Sequence, residues 1–169
     1  MTTIYLDMDG VIADFWAGLF ALCGVCSKEY LPDKHESIQA LKGTNFFGTL
    51  PDFETSRTLI NYVRDYGDWG IITAPLRDDF ANCAYWKRIW LERFEYMPED
   101  ITKFIVTKKK QVHALNKDGS PNILIDDSDW NIEPWRKKGG IAIKYEALYD
   151  DVYELIGKIE ETLLKLKVA

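Results

Sequence analysis

The chain has 169 residues, of which 47% are hydrophobic and 14% are aromatic, and it carries a formal net charge of −6. This composition is typical of one compact domain with a substantial core, and it excludes a disordered chain. The negative charge argues against a nucleic acid polymer as a partner, and no apolar run approaches the roughly 20 residues that cross a bilayer, so no membrane partner is expected. The three cysteines do not indicate a secreted disulfide framework, and we expect a cytoplasmic protein.

Short apolar segments rich in β-branched residues alternate with amphipathic segments along the chain. The apolar segments are predicted to be buried strands, at 2–7, 69–73, 103–107, 122–127 and 141–145. The amphipathic segments predict helices, and the longest are 52–67, 77–94 and 150–167. This alternation indicates an α/β fold with a Rossmann-like parallel sheet and helices on both of its faces.

The connection between the first two predicted strands is unusually long. About sixty residues separate them, which is far more than a single crossover helix needs. We therefore predict that residues 14–51 form a small, mostly helical cap, inserted after the first strand over the carboxyl edge of the sheet. The α/β core then comprises residues 1–13 and 52–169.

Polar residues follow four of the predicted strands, at the edge where ligands bind in open parallel sheets. With the small residues Gly10 and Ala74 that accompany them, they are Asp7 and Asp9, then Thr73, then Lys108, Lys109 and Lys110, and finally Asp126 and Asp127. Single residues of these types are common in turns, but turn chemistry does not explain all of them at one edge. We predict that this edge is the functional site.

The residue types at this edge fit phosphoryl transfer. Carboxylates from two strands form an oxygen-rich pocket suited to Mg²⁺, and a metal together with a lysine lets a phosphate lie beside them. Asp7 is placed to attack phosphorus and form an acyl phosphate. Asp9 can protonate the leaving oxygen and later take a proton from the attacking water, while Gly10 permits the tight backbone path.

Three motifs resemble those of the haloacid dehalogenase (HAD) superfamily of phosphotransferases. They are "DMDGV" after the first strand, "IITAP" at the second and "LIDDSD" at the fourth. The resemblance implies a HAD-like core in which Asp7 is the nucleophile and Asp9 is the acid/base. It also implies that Thr73 binds phosphate together with the backbone amide of Ala74, and that the acidic pair at 126–127 binds the metal.

A narrower resemblance, to the 5'(3')-deoxyribonucleotidases, runs from the first strand to the acidic pair. These enzymes remove phosphate from nucleoside monophosphates, and the likeness rests on "DMDGVIADF", "NFFGTL", "ITAPL", "FIVTKKK" and "ILIDD". It implies a nucleoside pocket lined by Phe15, Phe46 and Phe47 from the cap and by Leu76 and Lys108 from the core. Plain core packing is the alternative for the phenylalanines, since buried phenylalanine is ordinary.

The same resemblance assigns ligands for the metal. It implies that Asp7, the backbone carbonyl of Asp9 and the side chain of Asp127 bind Mg²⁺. Asp126 then supports the site or holds a metal-bound water.

Two lysines are candidates for the phosphate-binding lysine of the family. Lys110 follows the third strand and aligns with the lysine of an "R-D-K" turn, whereas Lys87 matches a lysine on the preceding helix. We favour Lys110 and keep Lys87 as the second candidate. The sequence departs from the family at Ala74, where serine is common, and residues 23–42 of the cap show no usable likeness.

The leading hypothesis is a magnesium-dependent phosphomonoesterase that hydrolyses nucleoside 5'-monophosphates, with deoxyribonucleotides preferred, through an aspartyl phosphate on Asp7. One alternative keeps the chemistry but replaces the substrate by a phosphosugar or another small phosphate ester. Another is a non-catalytic nucleotide or phosphate sensor. The expected partner is a small-molecule nucleotide, and a homodimer is left open.

Overall fold

A computed structural model describes residues 1–31 and 33–168. One parallel sheet contains the strands β1 (Ile4–Leu6), β2 (Trp69–Thr73), β3 (Phe104–Val106), β4 (Ile123–Asp126) and β5 (Ile141–Lys144). The spatial order is β3-β2-β1-β4-β5, so β1 lies at the centre, and Ile4 is in register with Trp69 of β2 and Ile123 of β4. The predicted α/β fold with a Rossmann-like parallel sheet is confirmed.

The helices alternate with these strands as the sequence pattern predicted. They are α1 (Phe15–Cys23), α2 (Lys34–Gln39), α3 (Phe46–Thr49), α4 (Ser56–Tyr66), α5 (Phe80–Phe94), α6 (Asp129–Lys137) and α7 (Val152–Val168). Single 3₁₀ turns lie at Lys28–Tyr30, Ile101–Lys103 and Lys110–His113. Several elements are shorter than predicted, and the residues trimmed from the strands include Asp7 and Asp127, which therefore lie just beyond the strand ends.

Hydrophobic side chains cover both faces of the sheet. Ile4 and Leu6 of β1 pack in the larger core cluster with Ile60 of α4, whereas Tyr5 between them belongs to a second cluster that includes Trp135 of α6. This division follows from the alternation of side chains along a strand, with helices covering each face. Within the described residues, no helix is both long enough and apolar enough to cross a membrane.

The predicted cap contains α1, the turn Lys28–Tyr30, α2 and α3. Its last part is fastened to α5: the backbone N–H of Gly43 donates to Asp79 (3.2 Å), and the indole N–H of Trp90 donates to the carbonyl of Leu50 (2.8 Å). Gly48 lies so close to α5 that a Cβ atom there would approach Cε3 of Trp86 to 2.6 Å. The end of the cap therefore packs as part of the core, and α1 with the segment after it forms the overhanging part.

Candidate active site

The turn after β1 brings Asp7, Asp9 and Gly10 to the carboxyl edge of the sheet. The carbonyl of Met8 accepts hydrogen bonds from the backbone N–H groups of Ile12 (3.0 Å) and Ala13 (2.9 Å), which close the turn. Gly10 has φ = +83°, and a Cβ atom there would lie 2.4 Å from Oδ2 of Asp127. Glycine is needed here because the turn requires a left-handed backbone and because the carboxylate of β4 comes so near.

Lys110 forms ion pairs with two buried carboxylates. Its Nζ lies 2.8 Å from Oδ1 of Asp7 and 2.7 Å from Oδ2 of Asp126, and all three side chains are buried. Burial lowers the pKa of Lys110, but the charges of the two aspartates outweigh it and the net shift is upward. The lysine is therefore a permanent cation between the end of β1 and the end of β4.

Asp126 is held by further hydrogen bonds. Its Oδ1 accepts from the backbone N–H of Ser128 (2.9 Å) and from Nδ2 of Asn131 (3.0 Å). Both carboxylate oxygens of Asp126 are thus engaged, which suits a residue that supports the site and orients Lys110. The sequence analysis did not select Asn131, although its position in the first turn of the helix after the acidic pair is a usable signal.

Lys87 forms a second, separate cationic group at the same edge. It reaches there from α5, and its Nζ donates to Oδ2 of Asp9 (2.6 Å), Oγ1 of Thr73 (2.7 Å) and the carbonyl of Ala74 (3.0 Å). The Nζ also lies 4.5 Å from the centroid of the Phe47 ring, which is within cation–π range. The structure therefore brings both candidate lysines to the edge, Lys110 beside the predicted nucleophile and Lys87 beside the predicted acid/base.

Asp9 lies in an environment that favours its protonated form. Burial raises its pKa and the charge of Asp7 raises it further, while Lys87 opposes them, and the net shift is upward. Its Oδ1 is buried and has no hydrogen-bond partner among the described residues. A raised pKa suits a carboxyl that must donate a proton to a leaving oxygen.

Three carboxylates are close enough together to bind one metal ion. Asp7, Asp126 and Asp127 each offer an oxygen, and these oxygens lie within 4.8 Å of one another. Burial and then the Asp7 carboxylate raise the pKa of Asp127 to about 7 and that of Asp126 to about 6. Hard oxygen donors with excess negative charge fit Mg²⁺. The side chain of Asp9 is not in this group, and its carbonyl as a ligand stays a prediction.

The predicted substrate residues occupy different environments. Phe46 and Phe47 are only 4% and 2% exposed and belong to the main core cluster, as the core-packing alternative expects, and their role as substrate contacts stays a prediction. Phe15 is half-buried and lines an open cleft. Leu76 packs at the margin of the core, and Lys108 is exposed beyond the end of β3. The structure therefore does not gather these five residues into one pocket.

The cleft beside the carboxyl edge has a volume of about 290 Å³. It begins at Gly10 and Asp127, runs along Phe15 and Trp16 of α1, and is also lined by residues of the loop between β5 and α7, including Tyr149. Trp16 was not predicted as a site residue, although it directly follows Phe15 in the motif "ADF". The open space next to the carboxyl edge therefore lies beside α1.

No family model and no curated protein matches this sequence. Solved structures do match, and they show that the fold is that of HAD hydrolases. A "predicted phosphatase" from Clostridium acetobutylicum is similar with a TM-score of 0.56 at 16% identity, over 95% of this chain and 98% of the other. A hydrolase from Streptococcus pneumoniae TIGR4 gives a TM-score of 0.53 at 13% identity, over 94% and 97% of the two chains.

A third similar structure has the same fold. It is a HAD-superfamily hydrolase, subfamily IA, variant 1, from Geobacter sulfurreducens PCA, with a TM-score of 0.52 at 14% identity over 89% of each chain. At these identities the similarity shows the fold alone, so the activity must be argued from the site. The narrower likeness to deoxyribonucleotidases stays a prediction.

Proposed function

We propose that this chain is a magnesium-dependent phosphomonoesterase that forms an aspartyl phosphate on Asp7. The observation that carries the proposal is the pair of buried lysines, each bound to a different aspartate of the "DMD" motif. Lys110 lies 2.8 Å from Oδ1 of Asp7, whereas Lys87 lies 2.6 Å from Oδ2 of Asp9, whose pKa is raised by burial. Two carboxyl groups of one motif that lie in different environments fit the roles of a nucleophile and an acid/base.

Asp7 is oriented for attack by two hydrogen bonds to the same oxygen. Its Oδ1 accepts from the backbone N–H of Met8 (2.7 Å) and lies 2.8 Å from Nζ of Lys110. This leaves Oδ2 to form the new bond to phosphorus. As that bond forms, the bond from phosphorus to the leaving oxygen breaks, and the leaving oxygen takes the proton from Asp9.

The second half of the reaction regenerates both carboxyl groups. Asp9, now ionised, takes a proton from a water molecule that attacks phosphorus, and the bond between phosphorus and Asp7 breaks. The products are inorganic phosphate, the free carboxylate of Asp7 and protonated Asp9. The hydroxyl of Thr73 and the amide of Ala74 would bind phosphate oxygens together with a lysine. Lys110 is favoured for this role, and Lys87 is second because its three N–H groups already donate to other partners.

Mg²⁺ would be held by Asp7, Asp127 and the backbone carbonyl of Asp9, with Asp126 supporting them. When bound, it supplies positive charge that offsets the repulsion between the acidic site and the phosphate. The raised pKa values of the acidic pair support this assignment, because burial and the nearby Asp7 carboxylate disfavour their charges in the absence of a metal ion.

We propose nucleoside 5'-monophosphates, and deoxyribonucleotides in particular, as the substrates. The support is the motif resemblance together with a cleft lined by aromatic side chains, which can stack on a flat base. A phosphosugar or another small phosphate ester is the alternative substrate. A nucleotide or phosphate sensor is the alternative from a different class, and the retention of both Asp7 and Asp9 argues against it.

The test is the release of inorganic phosphate from a panel of ribonucleoside, deoxyribonucleoside and sugar monophosphates, with Mg²⁺ or with EDTA. We expect magnesium-dependent release that is fastest on a deoxyribonucleotide and is lost in Asp7→Asn. Asp65→Asn, which changes an exposed aspartate of α4, is the matched control and should retain activity. Faster release from sugar phosphates would refute the nucleotide assignment, and nucleotide binding without hydrolysis would support the sensor.

A further inference from the structure

The cleft opens beside the turn that follows β1 and carries the proposed nucleophile. Gly10 and Asp127 line its inner end, and both belong to the edge that holds the nucleophile. The loop between β5 and α7 is fastened to the same edge, because the backbone N–H of Ala147 donates to the carbonyl of Gly10 (3.1 Å). The next two residues of that loop, Leu148 and Tyr149, line the cleft. Their position is therefore fixed relative to the nucleophile.

Aromatic and aliphatic surface from two elements is open in this cleft. Trp16 of α1 is half-buried, with the Phe15 and Phe20 rings at 5.4 and 5.9 Å, and it still lines the cleft. Tyr149 is 76% exposed although it lies beside the site. Large apolar side chains exposed at the mouth of a cleft provide flat contact area for a ligand.

The charged side chains in the cleft are mostly acidic. Beyond Asp127, the lining includes Asp14, Glu29 and Glu146 but only one cation, Lys28. The Nζ of Lys28 lies 4.2 Å from the ring centroid of Trp16, and the Nζ of Lys34, which does not line the cleft, lies 5.2 Å from it, so both cations are already engaged with this ring. A second anionic group on a substrate would enter a region of like charge, which opposes binding.

We propose that Trp16 and Tyr149 hold the leaving group of the substrate and that the cleft carboxylates exclude a leaving group carrying a second anion. The substrate class is thus a phosphate monoester of a flat, uncharged alcohol, such as a nucleoside with one phosphate. Bisphosphates, and phosphate esters of alcohols that also carry a carboxylate group, are poor substrates. This inference rests on the proposed phosphomonoesterase function and names the specificity residues of the same site.

The first test compares two substrates that differ in the leaving group. Deoxyadenosine 5'-monophosphate uses the cleft, whereas acetyl phosphate has no group large enough to reach it. Trp16→Leu and Tyr149→Ala should each raise KM for the nucleotide by about 10- to 100-fold, the range for loss of one stacked aromatic. Neither variant should change kcat/KM for acetyl phosphate, because the nucleophile and its lysines are intact.

Matched controls separate contact with the substrate from general effects. Tyr153→Ala removes a tyrosine that is 71% exposed on α7, and Trp130→Leu removes an exposed tryptophan of α6, and neither residue lines the cleft. Both controls should leave both activities unchanged. An equal loss on both substrates in Tyr149→Ala, or an unchanged nucleotide KM in both cleft variants, would overturn the proposal.

The second test concerns the excluded anion. For the wild type, kcat/KM for deoxyadenosine 3',5'-bisphosphate should be at least about tenfold below that for the 5'-monophosphate. The double variant Glu29→Gln/Glu146→Gln should bring the two kcat/KM values closer together. An equal or faster reaction of the bisphosphate would overturn the proposal. If the wild type hydrolyses neither acetyl phosphate nor the nucleotide, the proposed function itself fails. Calorimetric binding of the monophosphate to Trp16→Leu then decides whether the cleft assignment survives.

Discussion

Replacing Lys110 with methionine tests the role of its buried ammonium group. The substitution keeps an apolar chain of similar length but leaves the carboxylates of Asp7 and Asp126 without the cation that lies 2.8 and 2.7 Å away. Loss of one partner from a buried ion pair costs about 3–5 kcal/mol. For a chain of this length, an unfolding entropy of about 2.1 cal/mol/K per residue converts that loss to a Tm lower by about 8–14 °C.

The assay is thermal unfolding by circular dichroism in EDTA, with Lys109→Met as the control. Lys109 is the exposed neighbour, and its replacement should change stability by no more than about 0.5 kcal/mol. The deficit of Lys110→Met should shrink as the pH falls, since protonation removes the uncompensated charge of the two carboxyl groups. If Lys110→Met unfolds at the temperature of Lys109→Met, the ammonium does not compensate these carboxylates and the reasoning is refuted.

Three further predictions concern the same edge. Asp9→Asn should reduce kcat for alkyl phosphates by about 10²–10⁴-fold, and a loss under tenfold in steady-state assays would contradict general-acid catalysis. Burial and neighbouring carboxylates raise the folded-state pKa of Asp127 to about 7, so the metal-free protein should become more stable as the pH falls from about 8 to 6. Mg²⁺ should therefore raise Tm more at pH 8 than at pH 6. Equal increases in Tm at the two pH values would contradict this prediction. Gly10→Ala should lower the free energy of unfolding, measured in urea, by about 1–2 kcal/mol or more, and it should weaken Mg²⁺ binding measured by calorimetry. An unchanged free energy of unfolding and an unchanged Mg²⁺ affinity would show that the turn relaxes to accept the Cβ atom.

The meeting of these carboxylates at one edge was predictable because its signals are local. The apolar run before Asp7 and the run before the acidic pair at 126–127 each predict a buried strand. In a parallel sheet the residues after such strands must lie at one edge. The motif "DMDGV" adds the order of the nucleophile, the acid/base and the glycine within five residues. None of these inferences requires knowledge of how distant segments pack.

The lysines and the phenylalanines show where such reasoning ends. Lys87 looks like an ordinary helical lysine, and only the packing of α5 against the sheet carries its Nζ to Asp9 and Thr73. Phe46 looks like a ligand contact in its motif, but the packing of α3 on α5 buries it. Apolar side chains serve a core and a binding site equally well, so sequence pattern alone does not separate the two.

The sequence by itself determined the parallel α/β fold and the placement of Asp7 and Asp9 after β1, since the hydrophobic periodicity and the order of the strands can be read from the sequence. Only the tertiary structure decided that Lys110 pairs with Asp7 and Lys87 pairs with Asp9. It also decided that the cleft lies beside Trp16 and Tyr149. These side chains come from segments far apart in sequence. Their meeting is set by the burial of charge and apolar surface when α1, α5 and the loop after β5 pack at the sheet edge.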